Sequence, residues 1–276
     1  MVTADINDLH QVDIALFSDI AVCGGDGTMR SVLVEVMRRS PSSTVLPIPL
    51  GTANDFAREW GWKRPGSIHE IEQRVLSAAA FPLGSTMVWK VASCEKHQQD
   101  IHFINYFSLG VDAAIVADFD SWRTERGATR QPSVLRNRLQ YAVTSLKYWK
   151  YHLPPVTLST GTAAFTRDRL ASVFFANTNS VLGLGSVGGG TCASDRLLTA
   201  FVLGHPTAFL GFLPALGWLR WAREGLGRAD RWELSCSSSG PHPAQADGES
   251  IELTFSQPLV ISRAGRIQIR SGLPTN

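Results

Sequence analysis

The sequence predicts an α/β domain over residues 1–84 followed by a β-rich domain, a sandwich, over residues 85–276. Three observations carry this. Up to residue 84, short apolar runs alternate with helix-period segments, the pattern of a largely parallel sheet. Beyond it come short runs rich in β-branched and aromatic residues, with one helical interruption. The chain has 276 residues, 44% hydrophobic and 18% charged, enough for two cores.

Residues 8–17 have weak helical periodicity, and 19–23 read as a strand. Residues 28–39 set Met29, Val32, Leu33 and Val36 on one face, with Arg38 and Arg39 near the C-terminal end, where the helix dipole favours them. Pro41-Ser42-Ser43 is a turn, and 45–49 a short buried strand. Residues 54–60 open a helix capped by Asn54 or Asp55, and 67–80 continue with Ile68, Ile71, Val75 and Ala78 in period. Strands are expected at 88–93, 102–108, 156–159, 171–176, 197–203, 231–235, 250–255 and 266–270, with a helix over 132–149. The uncharged stretch 197–219 is broken by Gly204, Pro206, Gly211, Pro214 and Gly217. A strand, a turn and an apolar helix (207–222) account for it better than a membrane span.

Composition excludes some functions. A net charge of +2 and a pI near 8.4 are too balanced to imply nucleic acid. Cys23, Cys94, Cys192 and Cys236 lack C-x-x-C spacing, so reduced thiols are expected rather than a disulfide framework or zinc site. Residues 1–20 carry four aspartates and do not read as a secretory signal.

The informative feature is Gly24-Gly25-Asp26-Gly27-Thr28, between the strand at 19–23 and the following helix, with Gly51-Thr52-Ala53-Asn54-Asp55-Phe56-Ala57-Arg58 one βα unit later. Glycines after a strand let the backbone approach an anion, and the helix that begins there aims unpaired N–H groups at it. Taken alone, Gly-Gly-Asp-Gly is also hairpin chemistry and Asn-Asp a helix cap; the ordered pair argues against both.

With these motifs the chain resembles the diacylglycerol kinase and sphingosine kinase superfamily, in its bacterial lipid-kinase branch. Further matches follow in order: residues 105–113, Phe174-Phe175-Ala176-Asn177 with Gly188-Gly189-Gly190, and Asp247-Gly248-Glu249. The resemblance spans about residues 15–270. It implies an NAD kinase/diacylglycerol kinase-like α/β domain, then a β-sandwich, with the active site in the cleft between them. It also implies ATP and Mg2+ as cofactors and transfer of the γ-phosphate to a hydroxyl of diacylglycerol, a sphingoid base or a related glycerolipid. Gly24, Gly25, Asp26, Gly27, Thr28, Met29, Arg30, Gly51, Thr52 and Asn54 would hold the nucleotide. Asp26 and Asp55 would line the cleft, and Glu249 would accept the proton. Cytoplasmic location is implied, with contact at the inner face of the membrane, and a homodimer is compatible with the family.

Departures qualify this. A structural Mg2+ would use the Asp195 side chain and the Cys192 and Leu197 carbonyls, but Arg196 replaces a glycine and Thr199 a carboxylate, both unfavourable to a hard cation; Asp195 as a simple turn cap is the alternative. Met29-Arg30-Ser31 stands where Leu-Asn-Glu is usual, so Arg30 can contact a phosphate. Ala53 replaces a glycine, which requires a negative φ. Only 23 residues precede Gly24, too few for the family's opening strand and Asn-Pro-x-x-Gly loop. This chain is therefore expected to be a fragment of a longer enzyme or a degraded paralogue, poorly soluble or weakly active. Basic residues Arg123, Arg126, Arg130, Arg136, Arg138, Lys147 and Lys150, interleaved with Trp122, Tyr148, Trp149 and Tyr151, suit an anionic bilayer or a solvated helix face. The competing functions are NAD kinase, which shares the Gly-Gly-Asp-Gly-Thr loop, and a non-catalytic lipid-binding or regulatory protein.

Overall fold

The computed structural model describes residues 3–93, 100–125, 147–181, 185–187, 191–208 and 223–273. Two short 3₁₀ turns, Ile6–Gln11 and Ile14–Leu16, stand where a helix was expected over 8–17. Asp5 and Asp13 cap them, and only Ile14 is buried, so no apolar stripe sustains a longer helix. Strand β1 (Asp19–Gly24) then runs parallel to β2 (Thr44–Pro49), with α1 (Asp26–Arg39) as the crossover. All six residues of β2 are buried, as a strand covered on both faces requires. Met29, Val32, Leu33 and Val36 of α1 pack into the same core as Val45, Leu46 and Ile48. Helices α2 (Asp55–Glu59) and α3 (Ile68–Leu76) complete this lobe, α3 ending before a separate 3₁₀ turn at Ala78–Ala80.

The β-rich remainder contains β3 (Leu83–Ser93), β4 (Ile101–Phe103) and β5 (Tyr106–Gly110), then helix α4 (Val111–Glu125). Next come β6 (Val156–Ser159), β7 (Ala164–Arg167), β8 (Ser172–Ala176), β9 (Ser180–Val181), β10 (Gly185–Ser186) and β11 (Leu198–Leu203). The chain continues through β12 (Arg223–Ala229), β13 (Arg231–Cys236), β14 (Pro241–Ala246), β15 (Glu249–Thr254) and β16 (Leu259–Arg270). One large sheet has the order β1-β2-β16-β13-β6-β7, with β3 also on β16 and β4 on β3. The other large sheet has the order β12-β11-β8-β5-β14-β15, and β9 and β10 pair as a separate two-stranded sheet.

Trp89, Phe107, Phe175 and Trp232 lie in the core shared by strands of both sheets, so the β-rich part is a sandwich. Strand β16 links the two parts. It is parallel to β2 at Gln268–Ile269, antiparallel to β3 along its length, and antiparallel to β13 at its start. A bulge between Arg263 and Gly265 lets one strand serve both. The fold is thus the α/β region followed by a sandwich.

Helix α4 was not expected. Its Val111 and Ile115 are fully buried with Tyr106, Phe174 and Phe201 in a separate apolar cluster. Of the helix expected over 132–149, residues 132–146 lie outside the described residues. So do residues 209–222, the glycines at 188–190, Cys94, and Arg126, Arg130, Arg136 and Arg138. Among the described residues, no helix is long and apolar enough to cross a membrane.

Candidate active site

Strand β1 ends in Gly24, whose carbonyl accepts from the N–H groups of Leu50 and Gly51 at 2.9 and 3.3 Å, so the two sequence motifs meet at once. A Cβ on Gly51 would lie 2.5 Å from the Gly25 Cα, and only glycine permits that approach. Asn54 adopts a left-handed conformation and turns its amide back on the loop. It accepts from the Gly51 N–H at 2.9 Å and donates to the Gly51 carbonyl at 2.7 Å. Ala53 is not among the described non-glycine residues with positive φ, so its side chain is tolerated. Gly25 caps α1 without any side-chain hydrogen bond to the first-turn N–H groups. Helix starts of this kind bind anions.

Asp26 does something the sequence reading missed. Its carboxylate accepts from the backbone N–H groups of Asp55 at 3.1 Å and Phe56 at 2.9 Å. It therefore caps α2 from another element, whereas the Asn54 side chain makes no cap bond. Asn105 donates its side-chain amide to Asp26 at 3.1 Å. The backbone N–H groups of Ile104, Asn105 and Tyr106 in turn converge on the carboxylate of Asp247, at 2.8–3.1 Å. Asp247 is buried, and desolvation pushes its pKa up to about 7, opposed by the Arg30 charge and those three N–H donors. The late acidic motif, the residue 105 segment and both glycine motifs form one hydrogen-bonded chain.

Glu249 lies over α1. A Cβ on Gly27 would lie 2.8 Å from Glu249 Oε1. The Arg30 guanidinium pairs with Glu249 Oε2 and donates to the Ala246 carbonyl at 2.9 Å. The Glu249 side chain remains 57% exposed, hence reachable, while that of Arg30 is mostly covered. Asp55 is buried; its carboxylate accepts from Ser180 at 2.5 Å and Arg58 at 3.1 Å. Glu59, on the same short helix, accepts from the N–H groups of Asn179 and Ala193, and burial raises its pKa. Thr28 packs its side chain over Gly24, Met29 is core, and Thr52 is exposed.

The expected metal loop does not fit Mg2+. The Asp195 carboxylate is paired with the guanidinium of Arg228, and the Cys192 carbonyl accepts from the Asp195 N–H at 3.0 Å. Thr199 accepts a hydrogen bond from Thr191 at 2.9 Å, a neutral pair where a second carboxylate would be needed. A monovalent guanidinium already neutralises the Asp195 carboxylate. Among the described residues, no group of three His, Cys, Asp or Glu could hold a metal ion.

Asp26, Gly27, Arg30, Gly51, Asn54, Asp55 and Glu249 are thus assembled around the start of α1, with Asp195, Cys192 and Leu197 on a separate loop. Sequence reasoning overlooked Glu59 and Arg228, and named Asp247 within a motif without giving it a role. Asn105 and Asp247 stood inside recognised motifs, which was the available signal; Arg228 gave none, because its partner is set by the pairing of β12 with β11.

The diacylglycerol kinase catalytic domain model matches residues 7–84, and the diacylglycerol kinase accessory domain model matches residues 102–190. Human diacylglycerol kinase zeta is 30% identical over 143 residues, covering 46% of this chain and 15% of that protein. Diacylglycerol kinase 2 of Arabidopsis thaliana is 31% identical over 139 residues, 45% of this chain and 19% of that protein. The chain therefore covers less than a fifth of the length of these curated relatives. The crystal structure of a putative diacylglycerol kinase from Bacillus anthracis str. Sterne is similar at a TM-score of 0.67, with 17% identity over 98% of this chain and 83% of that one. A second structure from that organism, described as a diacylglycerol kinase, gives 0.64 at 16% identity, with the same coverage. At such identity the likeness is one of fold.

Proposed function

The chain belongs to the diacylglycerol kinase superfamily, and on that premise we propose that it is an ATP-dependent lipid kinase that phosphorylates a hydroxyl of diacylglycerol, a sphingoid base or a related glycerolipid. The observation that carries this reading is an exposed carboxylate, Glu249, directly over the uncapped helix start that follows the glycine loop. Bound ATP supplies the phosphoryl group. The first-turn N–H groups of α1 and the cation of Arg30 are the groups suited to hold its phosphates, and positioning accounts for most of the rate in such transfers. Glu249 takes the proton from the acceptor hydroxyl, a contribution of about 10²–10⁴-fold. Asp26 orients rather than reacts: its hydrogen bonds join α2 to α1 and Asn105. The division at residue 84, peripheral membrane contact and a homodimer remain parts of this reading.

A second reading, a family member that binds lipid without phosphorylating it, draws support from the two guanidiniums that engage Glu249 and Asp195. Transfer of ³²P from ATP to a panel of lipid alcohols separates the two. The kinase reading expects a labelled lipid with the wild type and its loss in Asp26→Ala and Glu249→Ala. Lipid binding without labelling would favour the second.

A further inference from the structure

Beside α1 lies an open groove of about 600 Å³ whose lining includes Arg30 and Glu249. Its walls come from four elements distant in sequence: the first 3₁₀ turn, α1, β4 and β15. Apolar side chains from each line it, namely Ile6, Leu9, Val34, Ile101 and Ile251. The polar groups on its walls are already accounted for. Glu35 pairs with Arg38 at 2.8 Å, and His10 Nδ1 bonds the Asn7 carbonyl at 3.0 Å. Burial lowers the pKa of His102, which favours its neutral ring. An apolar occupant would leave no described charge of this wall stripped of its partner, and the volume lies within the range of small-molecule sites.

We infer that this groove seats an acyl chain of a neutral lipid alcohol, so that the hydroxyl end meets Glu249 on its wall. The inference rests on the kinase reading for the identity of the acceptor. The juxtaposition of apolar walls and an exposed carboxylate matches such a molecule, apolar along its length and reactive at one end. Chain length should then be read by the groove, each methylene buried there strengthening binding about fourfold.

The test uses the whole chain and diacylglycerols with four-, six- and eight-carbon acyl groups, below their aggregation limits. Binding is measured by calorimetry without ATP, and phosphorylation in parallel. Wild-type affinity should rise at least tenfold from the shortest to the longest lipid. Ser31→Trp and Val34→Trp, which fill the groove, should flatten that dependence and weaken the eight-carbon lipid at least tenfold. ATP binding and the circular dichroism spectrum should stay unchanged, Ser31 being an exposed position that guards against misfolding. A chain-length dependence that survives in both filled variants overturns the groove while leaving the kinase reading intact. A groove filled by a second copy, seen as concentration-dependent mass with no effect of lipid, does the same, whereas a wild type that neither binds nor phosphorylates any of these lipids overturns both readings. Binding that follows the expected pattern without phosphorylation upholds the groove and overturns the kinase reading.

Discussion

Glu249 and Gly27 touch across 222 positions of sequence: the carboxylate occupies the space where any side chain at 27 would begin, 2.8 Å from its Cβ position. In the first turn of α1, the room beside Gly27 is used by another part of the chain.

Gly27→Ala should therefore act on activity and not on stability. The added methyl meets the end of a flexible, exposed side chain, so the carboxylate can swing away with little cost to the fold, and alanine is the better helix former. If Glu249 is the proton acceptor, a displacement of about 1 Å should cost up to 10²-fold in kcat. Steady-state phosphorylation and thermal denaturation on the same sample check this. A variant of wild-type activity would remove Glu249 from the chemistry.

Asp26→Ala should act on both. It removes the cap of α2 and the anchor of Asn105, and loss of a cap costs about 1–2 kcal/mol. In a chain of this size that corresponds to a fall in Tm of several degrees. Asp26→Asn, which keeps one acceptor oxygen, should recover part of it. Calorimetry of the two variants decides; equal Tm values for Asp26→Ala and the wild type would show that the cap contributes nothing.

The alternation of strand and helix up to residue 84 was legible because apolar periodicity and glycine punctuation act locally. Several later elements were not. Strand β14 holds Pro241 and Pro243, which argue against a strand, yet it is tied into the sheet through Ala244, Gln245 and Ala246 opposite β5. Strand β12 reads Arg-Glu-Gly-Leu-Gly-Arg-Ala, loop-like in isolation; its pairing with the buried β11 makes it a strand. At the site, glycine positions and Glu249 could be named from motifs. That Asp26 caps a helix begun 29 residues later follows only from the close packing of Gly25 on Gly51, a tertiary event.

Asp247 should make stability depend on pH. Its folded-state pKa is raised to about 7, so between about pH 4 and 7 the folded state binds more protons than the unfolded one. Stability attributable to this group is then greatest below pH 4 and falls as the pH rises through 7, by at most a few kcal/mol. Glu59 and Asp112 are shifted in the same direction, so the wild-type profile alone is not diagnostic. The difference between wild type and Asp247→Asn isolates the residue. Denaturant titrations from pH 4 to 8 should show that difference changing across the interval, and a constant difference would refute the assignment.

The Asp195 loop should be indifferent to divalent cations. Arg228 supplies a positive charge to Asp195, and the partly exposed pair is itself worth no more than about 1 kcal/mol. Nucleotide-free protein should melt at the same temperature in EDTA and in millimolar Mg2+. Arg228→Met should cost little in EDTA, since a partly exposed Asp195 is re-solvated, and should gain a weak Mg2+-dependent rise in Tm as the freed carboxylate becomes available. A rise of several degrees with Mg2+ in the wild type would mean that the guanidinium yields to the ion, and that this loop binds metal after all.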